Sequence, residues 1–218
     1  MFIAVVPAFN EAKTIGSVVR NLFRHVDQVV VVDDGSADDT GRVAREEGAV
    51  VLRHEINRGQ GAALETGHEY ARRMNADYLL HFDADGQFDV TDIAPALAEL
   101  KKTSADVLFG SRFLRSGQQI PWMKKYLLLP IAYIFQRIFY GSRLRDAHNG
   151  FRILNRRALH AIHITHDRMA HATEIAAQVN AAGLWYIEFP VKVMYREYGQ
   201  GFTGGVKILK DLVLGKFV

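Results

Sequence analysis

The sequence predicts an α/β fold in three layers, with a central, mostly parallel β-sheet covered by helices on both faces. Short apolar runs of the kind that form buried strands alternate along the chain with longer segments whose apolar residues recur at helical spacing. One run holds four consecutive valines, residues 29–32, as is typical of a strand buried on both faces. Strands and helices that alternate in this way build parallel sheets.

The elements can be placed in order along the chain. The apolar runs predict strands at residues 2–6, 28–33, 49–53, 77–82, 105–110 and 184–193. The helical spacing predicts helices at residues 11–25, 40–47, 61–74, 91–101 and 168–182. Pro7 is expected to end the first strand, and Gly183 to close the last of these helices.

The composition is that of an ordinary globular protein. The chain has 218 residues, 49% hydrophobic and 23% charged, with a net charge of only +3. It has no cysteine, which excludes disulfides and thiolate metal sites and fits a reducing compartment. No secretory leader is visible, and the longest uncharged apolar run, residues 126–136, is shorter than the roughly 20 residues of a membrane-spanning helix. We expect a cytoplasmic protein, either soluble or peripheral on the membrane, with no nucleic-acid partner.

The second half contains a candidate surface contact. The aromatic-rich segment 122–140 predicts a helix, kinked at Pro130, whose apolar residues cover most of its circumference. Such a helix could lie in the membrane interface, or be covered by a second subunit or by the amphipathic segment 206–217. Basic residues accompany both segments and suit phosphate groups or an anionic membrane, or are solvated surface. They are Lys124, Lys125, Arg137, Arg143, Arg145, Lys207, Lys210 and Lys216.

Polar clusters follow several of the predicted strands. Ligands of open α/β sheets bind beyond the carboxyl ends of the strands, so we expect these clusters to meet at one edge. The clusters are Asn10–Glu11, Asp33–Ser36, Asp83–Asp85 and Ser111–Arg112.

Asp83 and Asp85 are candidate metal ligands, because they stand two residues apart directly after a predicted strand. Mg²⁺ prefers oxygen ligands and is commonly held by one or two carboxylates together with phosphate oxygens and waters. Two carboxylates this close would repel each other without a cation. The alternative is an acidic turn that caps the following segment.

Asp34 and three arginines are further candidate contacts. Asp34 could accept hydrogen bonds from a base or a ribose, although the residues around it also have good turn chemistry. Arg112, Arg152 and Arg196 follow predicted strands or polar turns, and arginine donates a fork of hydrogen bonds to phosphate. The alternative for each arginine is an ordinary surface position.

Six short motifs occur in order along the chain. They are Pro-Ala-Phe-Asn-Glu at 7–11, Asp-Asp-Gly-Ser at 33–36, Asn-Arg-Gly-Gln-Gly at 57–61, Asp-Ala-Asp-Gly-Gln at 83–87, Gly-Ser-Arg at 110–112, and Asp146 with Gly-Phe-Arg at 150–152. Together they resemble the family 2 glycosyltransferases of GT-A fold, and most of all the dolichol- or polyprenol-phosphate mannosyl- and glucosyltransferases. The resemblance runs from Met1 to about Gly205, nearly the whole chain.

The resemblance implies a metal-dependent, inverting glycosyltransferase that uses Mg²⁺ or Mn²⁺. It would move a hexose from a GDP- or UDP-sugar to an acceptor, with a polyprenyl or dolichyl phosphate at the membrane surface as the first choice. One GT-A catalytic domain would cover residues 1–218. Residues 1–112 would form its nucleotide-sugar-binding half, and residues 113–218 its acceptor-binding half.

The resemblance also assigns roles to particular residues. The implied metal ligands are Asp83, Asp85 and Gln87. The implied nucleotide-sugar contacts are Pro7, Phe9, Glu11, Asp34, Asp83, Ala84 and Arg152, with Asp34 at the base or ribose and Ala84 near the ribose. The implied phosphate contacts are Arg112 and Arg196. The chain departs from the family at Asn149, where Ser is frequent, and at Gly201-Phe202, where Ser-Lys is frequent.

Glu174 bears on the choice of acceptor. Inverting members that glycosylate hydroxyl groups usually carry an Asp base, often in a Glu-Asp pair near the start of a helix, whereas here Ile175 follows Glu174. A hydroxyl acceptor needs a base near the attacking oxygen, but a phosphate is already ionised. The sequence therefore favours a lipid phosphate. If Glu174 is itself the base, a glycan or surface-polysaccharide precursor is the alternative acceptor.

Overall fold

The computed structural model describes residues 1–114, 144–167 and 170–194. Arg196, Gly201-Phe202 and the segments 122–140 and 206–217 lie outside these ranges. The predictions made for them stay predictions.

Strands and helices alternate through the described residues. The strands are β1 (Phe2–Ala8), β2 (Gln28–Asp33), β3 (Val50–Arg53), β4 (Tyr78–His81), β5 (Val107–Ser111), β6 (Arg152–Asn155) and β7 (Tyr186–Pro190). The helices are α1 (Ile15–Leu22), α2 (Thr40–Glu46), α3 (Gln60–Arg73), α4 (Ile93–Thr103), α5 (Arg156–Ala161) and α6 (His171–Ala181), and a 3-10 turn at Val90–Asp92 precedes α4.

The seven described strands form one sheet in the order β3-β2-β1-β4-β6-β5-β7. All neighbouring pairs are parallel except those of β6, which runs antiparallel to β4 and to β5. The predicted mostly parallel sheet is therefore confirmed. The carboxyl ends of β1, β2, β4 and β5 share one edge, and the reversed β6 brings its amino end to that same edge.

Strand β1 continues through Pro7, so the prediction that Pro7 ends it is wrong. Pro7 pairs in register with Val32 of β2, whereas pairing with β4 stops at Val5. The carbonyl of Val5 faces β4, where it accepts a hydrogen bond from Phe82 N at 3.1 Å. Successive residues of a strand point their backbone groups to alternate sides, so the nitrogen of Pro7 also faces β4. It lies beyond the last pairing with β4, and the missing N–H therefore removes no hydrogen bond from the sheet.

Strand β6 and helix α5 were not predicted. β6 has only four residues and begins with Arg152, so its apolar pattern is too short to be read as a strand. Asn155 starts α5, where its side-chain oxygen accepts a hydrogen bond from Ala158 N at 2.9 Å. The first helix is also shorter than predicted: it begins at Ile15 rather than at residue 11.

Apolar side chains on the two faces of the sheet form two separate cores. Val29 and Val31 of β2 pack on the face that carries α1, α2 and α4. Val30 and Val32 pack on the face that carries α3, α5 and α6. Alternate residues of one strand thus bury against helices on opposite faces, which gives the three predicted layers.

Candidate active site

The four polar clusters lie at the carboxyl edge of the sheet, as predicted. The loops after β1 and β2 are joined directly, because Asn10 N donates to Ser36 Oγ at 3.0 Å and Ala37 N donates to Asn10 Oδ1 at 2.9 Å. The clusters after β4 and β5 both reach the loop that precedes β6, through Asp83 and Arg112. The edge therefore carries two groups of polar loops, each joined by direct contacts.

Asp83 and Asp85 follow β4 at this edge, and both are partly buried. Asp83 Oδ1 accepts a hydrogen bond from Gln60 Nε2 at 3.0 Å. Asp85 Oδ1 accepts one from Gln87 N at 2.9 Å, which closes the turn. Burial, and then the neighbouring charge of Asp85, raise the pKa of Asp83 to about 6.

This acidic pair fits a divalent cation. A cation between the two carboxylates would offset their mutual repulsion and stabilise the charged form of Asp83. The described residues contain no group of three or more His, Cys, Asp or Glu that could hold a metal. Mg²⁺ commonly completes its coordination shell with waters and phosphate oxygens.

Ala84 and Gln87 differ in how well they suit their expected roles. Ala84 is only 4% exposed and belongs to the apolar core. Its predicted position near a ribose stays a prediction. Gln87 is partly buried, and its carbonyl accepts a hydrogen bond from Met194 N at 2.8 Å. Its role as a metal ligand stays a prediction.

Arg152 is buried behind the acidic pair. It is 1% exposed, and its Nη2 donates to the carbonyl of Ala147 at 3.0 Å. Burial lowers its pKa to about 10, while the charges of Asp83 and Asp146 oppose that shift. Arg152 supplies a fixed positive charge near Asp83 and Asp146. Its predicted contact with the nucleotide sugar stays a prediction.

The guanidinium group of Arg112 forms two hydrogen bonds with the carboxylate of Asp146. Nε donates to Asp146 Oδ2 at 2.8 Å and Nη2 donates to Oδ1 at 3.0 Å. Asn149, at the position where the family often has Ser, donates to Asp146 Oδ2 at 3.2 Å and accepts from Phe151 N at 2.9 Å. The side chain of Arg112 is 28% exposed, so part of it remains open at the edge of the sheet.

Replacing Arg112 by alanine should lower turnover at least tenfold, because the variant loses the hydrogen bond that Arg112 is expected to donate to a phosphate. A hydrogen bond to a charged group contributes about 1.5–3 kcal/mol. Steady-state rates of sugar transfer measure the effect. Arg157→Ala is the matched control: Arg157 also pairs with an aspartate, Asp106, at 3.1 Å, but at the opposite edge of the sheet. Equal rates for the two variants would mean that Arg112 has only a structural role.

Asp34 binds the loop that precedes α3. Its carboxylate is buried and accepts three hydrogen bonds, from His54 Nδ1 at 2.7 Å, Arg58 N at 3.0 Å and Gly59 N at 2.7 Å. These bonds hold the loop at residues 57–61. The carboxylate is covered by the loop that it binds, and its predicted contact with a base or ribose stays a prediction.

The residues expected to line the nucleotide pocket lie at the end of β1. Phe9 is 47% exposed, which leaves an open aromatic ring beside the polar edge. Pro7 and Glu11 are partly buried, and Glu11 Oε2 accepts a hydrogen bond from Thr14 Oγ1 at 2.7 Å. An exposed aromatic ring here can stack on a nucleobase.

Glu174 lies on α6 and binds the loop at residues 163–167. Its carboxylate accepts hydrogen bonds from Thr165 N at 3.0 Å, Thr165 Oγ1 at 2.5 Å and His166 N at 3.0 Å. Burial opposes the effect of these bonds, but together they hold the pKa of Glu174 below its ordinary value. A carboxylate engaged in this way is a weak candidate for a general base.

Three residues of the site received no role from the sequence: Gln60, Asp146 and Gly150. Each lies within a motif that was recognised, but its contact is with a residue far away in the chain. A Cβ atom on Gly150 would lie 2.1 Å from Asp83 Oδ2, so any other residue there would displace that carboxylate. The motifs were the only signal that could have pointed to these three residues.

Comparisons with known proteins identify the family of this chain. The sequence pattern of "Glycosyl transferase family 2" matches residues 3–162. The UDP-N-acetylglucosamine–dolichyl-phosphate N-acetylglucosaminyltransferase of Methanococcus voltae is 30% identical over 97% of this chain and 94% of its own length. The polyprenol monophosphomannose synthase of Mycolicibacterium smegmatis is 27% identical over 94% of this chain and 82% of its own length.

A solved structure shares the fold. Glucosyl-3-phosphoglycerate synthase from Mycobacterium tuberculosis, determined with Mn²⁺ and UDP-glucose, has a TM-score of 0.69 and 20% identity over 99% of this chain and 78% of that one. The fold of this chain is therefore that of the GT-A glycosyltransferases. The chain belongs to glycosyl transferase family 2.

Proposed function

We propose that this glycosyltransferase is metal-dependent and inverting, and that it moves a hexose from a GDP- or UDP-sugar to a polyprenyl or dolichyl phosphate. The observation that carries the proposal is the pair Asp83 and Asp85 after β4 at the carboxyl edge of the sheet, with Phe9 exposed after the neighbouring strand β1. The whole chain would act as one catalytic domain, with residues 1–112 binding the donor and residues 113–218 binding the acceptor.

Asp83 and Asp85, with Gln87 beside them, would hold Mg²⁺ or Mn²⁺. The cation, when bound, neutralises charge on the leaving nucleoside diphosphate. Phe9 would stack on the base, with Pro7 and Glu11 beside it. Arg112, and Arg196 outside the described residues, would bind donor or acceptor phosphates.

The engagement of Glu174 supports a phosphate acceptor. Its oxygens are occupied by the backbone and side chain of Thr165 and by the backbone of His166, so it is not poised to take a proton from a hydroxyl group. An ionised phosphate needs no such base. Two relatives have names that specify a lipid phosphate as acceptor or product, in agreement with this choice.

The proposed acceptor requires contact with a membrane surface. Within the described ranges, the structure contains no helix of the length and apolar character that a bilayer crossing needs. We propose that residues 122–140 and 206–217 make a peripheral contact on the cytoplasmic face. Contact with a second subunit is the alternative for the same residues.

A transfer assay with purified protein tests the donor and the acceptor together. UDP-glucose, UDP-N-acetylglucosamine and GDP-mannose are each offered with polyprenyl phosphate in anionic liposomes, in Mg²⁺, Mn²⁺ or excess chelator. Matched acceptors are the free polyprenol and a soluble glycan. We expect transfer to the phosphate alone, dependent on the cation, and sedimentation of the protein with the liposomes. Transfer to the glycan but not to the lipid phosphate would favour the alternative acceptor.

A further inference from the structure

We propose that Gln60 is a positioning residue for the metal site, and that Glu174 acts on the same site through the loop at residues 163–167. This inference rests on the proposed metal-dependent function and adds to it two residues that act from outside the carboxylate pair. In this arrangement Glu174 is not the base of the reaction.

The first step is the contact between Gln60 and Asp83. Gln60 Nε2 donates to Asp83 Oδ1 at 3.0 Å, and no Cβ atom would fit at Gly150 beside the other oxygen, Oδ2. The carboxylate is thus held by a donor on one side and by bare backbone on the other. A hydrogen bond to a ligating carboxylate fixes its orientation before the cation arrives.

The second step is the anchoring of the helix that carries Gln60. Gln60 is the first residue of α3, and the next two amides, of Gly61 and Ala62, donate to the carbonyl of Asp167 at 2.8 and 3.4 Å. A Cβ atom on Gly61 would lie 1.9 Å from the carbonyl oxygen of His166. The loop at residues 163–167 therefore packs directly on the start of α3, and a shift of this loop would move Gln60.

The third step is the hold of Glu174 on that loop. Its carboxylate binds Thr165 and His166, the two residues that precede Asp167, and His166 Nδ1 lies 3.1 Å from Glu174 Oε2. Gln178, one turn later on α6, also donates to the carbonyl of His163 at 2.5 Å. Helix α6 thus fixes the loop, the loop fixes the start of α3, and α3 places Gln60 on Asp83.

Asp34 also holds the start of α3, through the residues that directly precede Gln60. Its bonds to the amides of Arg58 and Gly59 end directly before Gln60. A carboxylate directly after β2 and one on α6 therefore hold the chain segments that contact the start of α3. Both are placed to act on the metal pair through Gln60.

Mn²⁺ affinity tests the inference without reference to catalysis. Mn²⁺ alone is titrated into the full chain and the free ion is measured by electron paramagnetic resonance, for wild type, Gln60→Leu and Glu174→Gln. We expect Gln60→Leu to weaken Mn²⁺ binding roughly tenfold to a hundredfold, and Glu174→Gln to weaken it by a smaller factor, since such supporting contacts typically have effects of this size. Gln28→Leu, at the amino end of β2 on the far edge of the sheet, is the matched amide control and should bind as wild type.

Sugar transfer measured over a range of Mn²⁺ concentrations separates positioning from catalysis. In both variants the maximal rate should return at saturating Mn²⁺, because the ligands themselves are intact. Wild-type Mn²⁺ affinity in Gln60→Leu would overturn the inference. Wild-type Mn²⁺ affinity in Glu174→Gln, with a maximal rate that does not return, would show that Glu174 is the base instead.

A milder variant covers the case in which Glu174→Gln does not fold. Thr165→Val removes only the hydroxyl that donates to Glu174 Oε1 at 2.5 Å. It should weaken Mn²⁺ binding in the same direction, and unchanged affinity would contradict the role of the loop. If wild type binds Mn²⁺ but transfers no sugar, the proposed function fails while the role of Gln60 stands. If wild type binds no Mn²⁺, both fail.

Discussion

Replacing Asp85 by alanine should lower the rate of sugar transfer by about a thousandfold or more, because a bound cation contributes several kcal/mol of charge stabilisation and each 1.36 kcal/mol is a factor of ten. Asp85 is partly exposed after β4, and its side chain accepts the turn hydrogen bond from Gln87 N, so we expect only a small loss of stability. Steady-state transfer rates and thermal unfolding measure the two effects.

Asp77→Ala is the control for this variant. Asp77 directly precedes β4 at its amino end, where it pairs with Arg156 at 3.0 Å, so the same charge is removed at the opposite edge of the sheet. It should transfer sugar at nearly the wild-type rate. Full activity of Asp85→Ala, or of wild type in excess chelator, would contradict the metal-dependent mechanism.

Replacing Gly150 by alanine should weaken the metal site, because the added methyl group would overlap the carboxylate of Asp83. The added Cβ atom would lie 2.1 Å from Oδ2 and 2.6 Å from Cγ of Asp83, so the carboxylate must leave the position in which Gln60 holds it. Gly150 is not among the glycines with positive φ, so its backbone conformation is open to alanine. We expect Mn²⁺ affinity to fall roughly tenfold to a hundredfold, with a loss of stability of about 1–3 kcal/mol from overpacking.

A double-mutant cycle tests the cause of that loss. Asp83→Ala removes the carboxyl group that the new methyl would overlap. In the Asp83→Ala background, the further change Gly150→Ala should therefore reduce the free energy of unfolding by less than about 0.5 kcal/mol. An equal cost in both backgrounds, measured by denaturant unfolding, would mean that the methyl group acts elsewhere and not on Asp83.

The sequence by itself determined the layout of the fold and the location of the site. The valine run of β2, buried on both faces, required helices on both sides of the sheet. The rule that ligands bind at the carboxyl ends of parallel strands then located the acidic pair and Arg112 at one edge. These inferences succeeded because periodicity and strand order are local properties that a sequence displays directly.

Only the tertiary structure decided what the charged residues at that edge do. Arg152 and Asp34 have the sequence signature of ligand contacts, but the first is buried behind Asp83 and the second is covered by the loop that it binds. Gln60 and Gly150 both lie against the carboxylate of Asp83. Gln60 is 23 residues before Asp83 in the sequence, and Gly150 comes much later. Burial and long-range contact set whether a charge faces a ligand or the protein, and neither is visible until the strands are packed side by side.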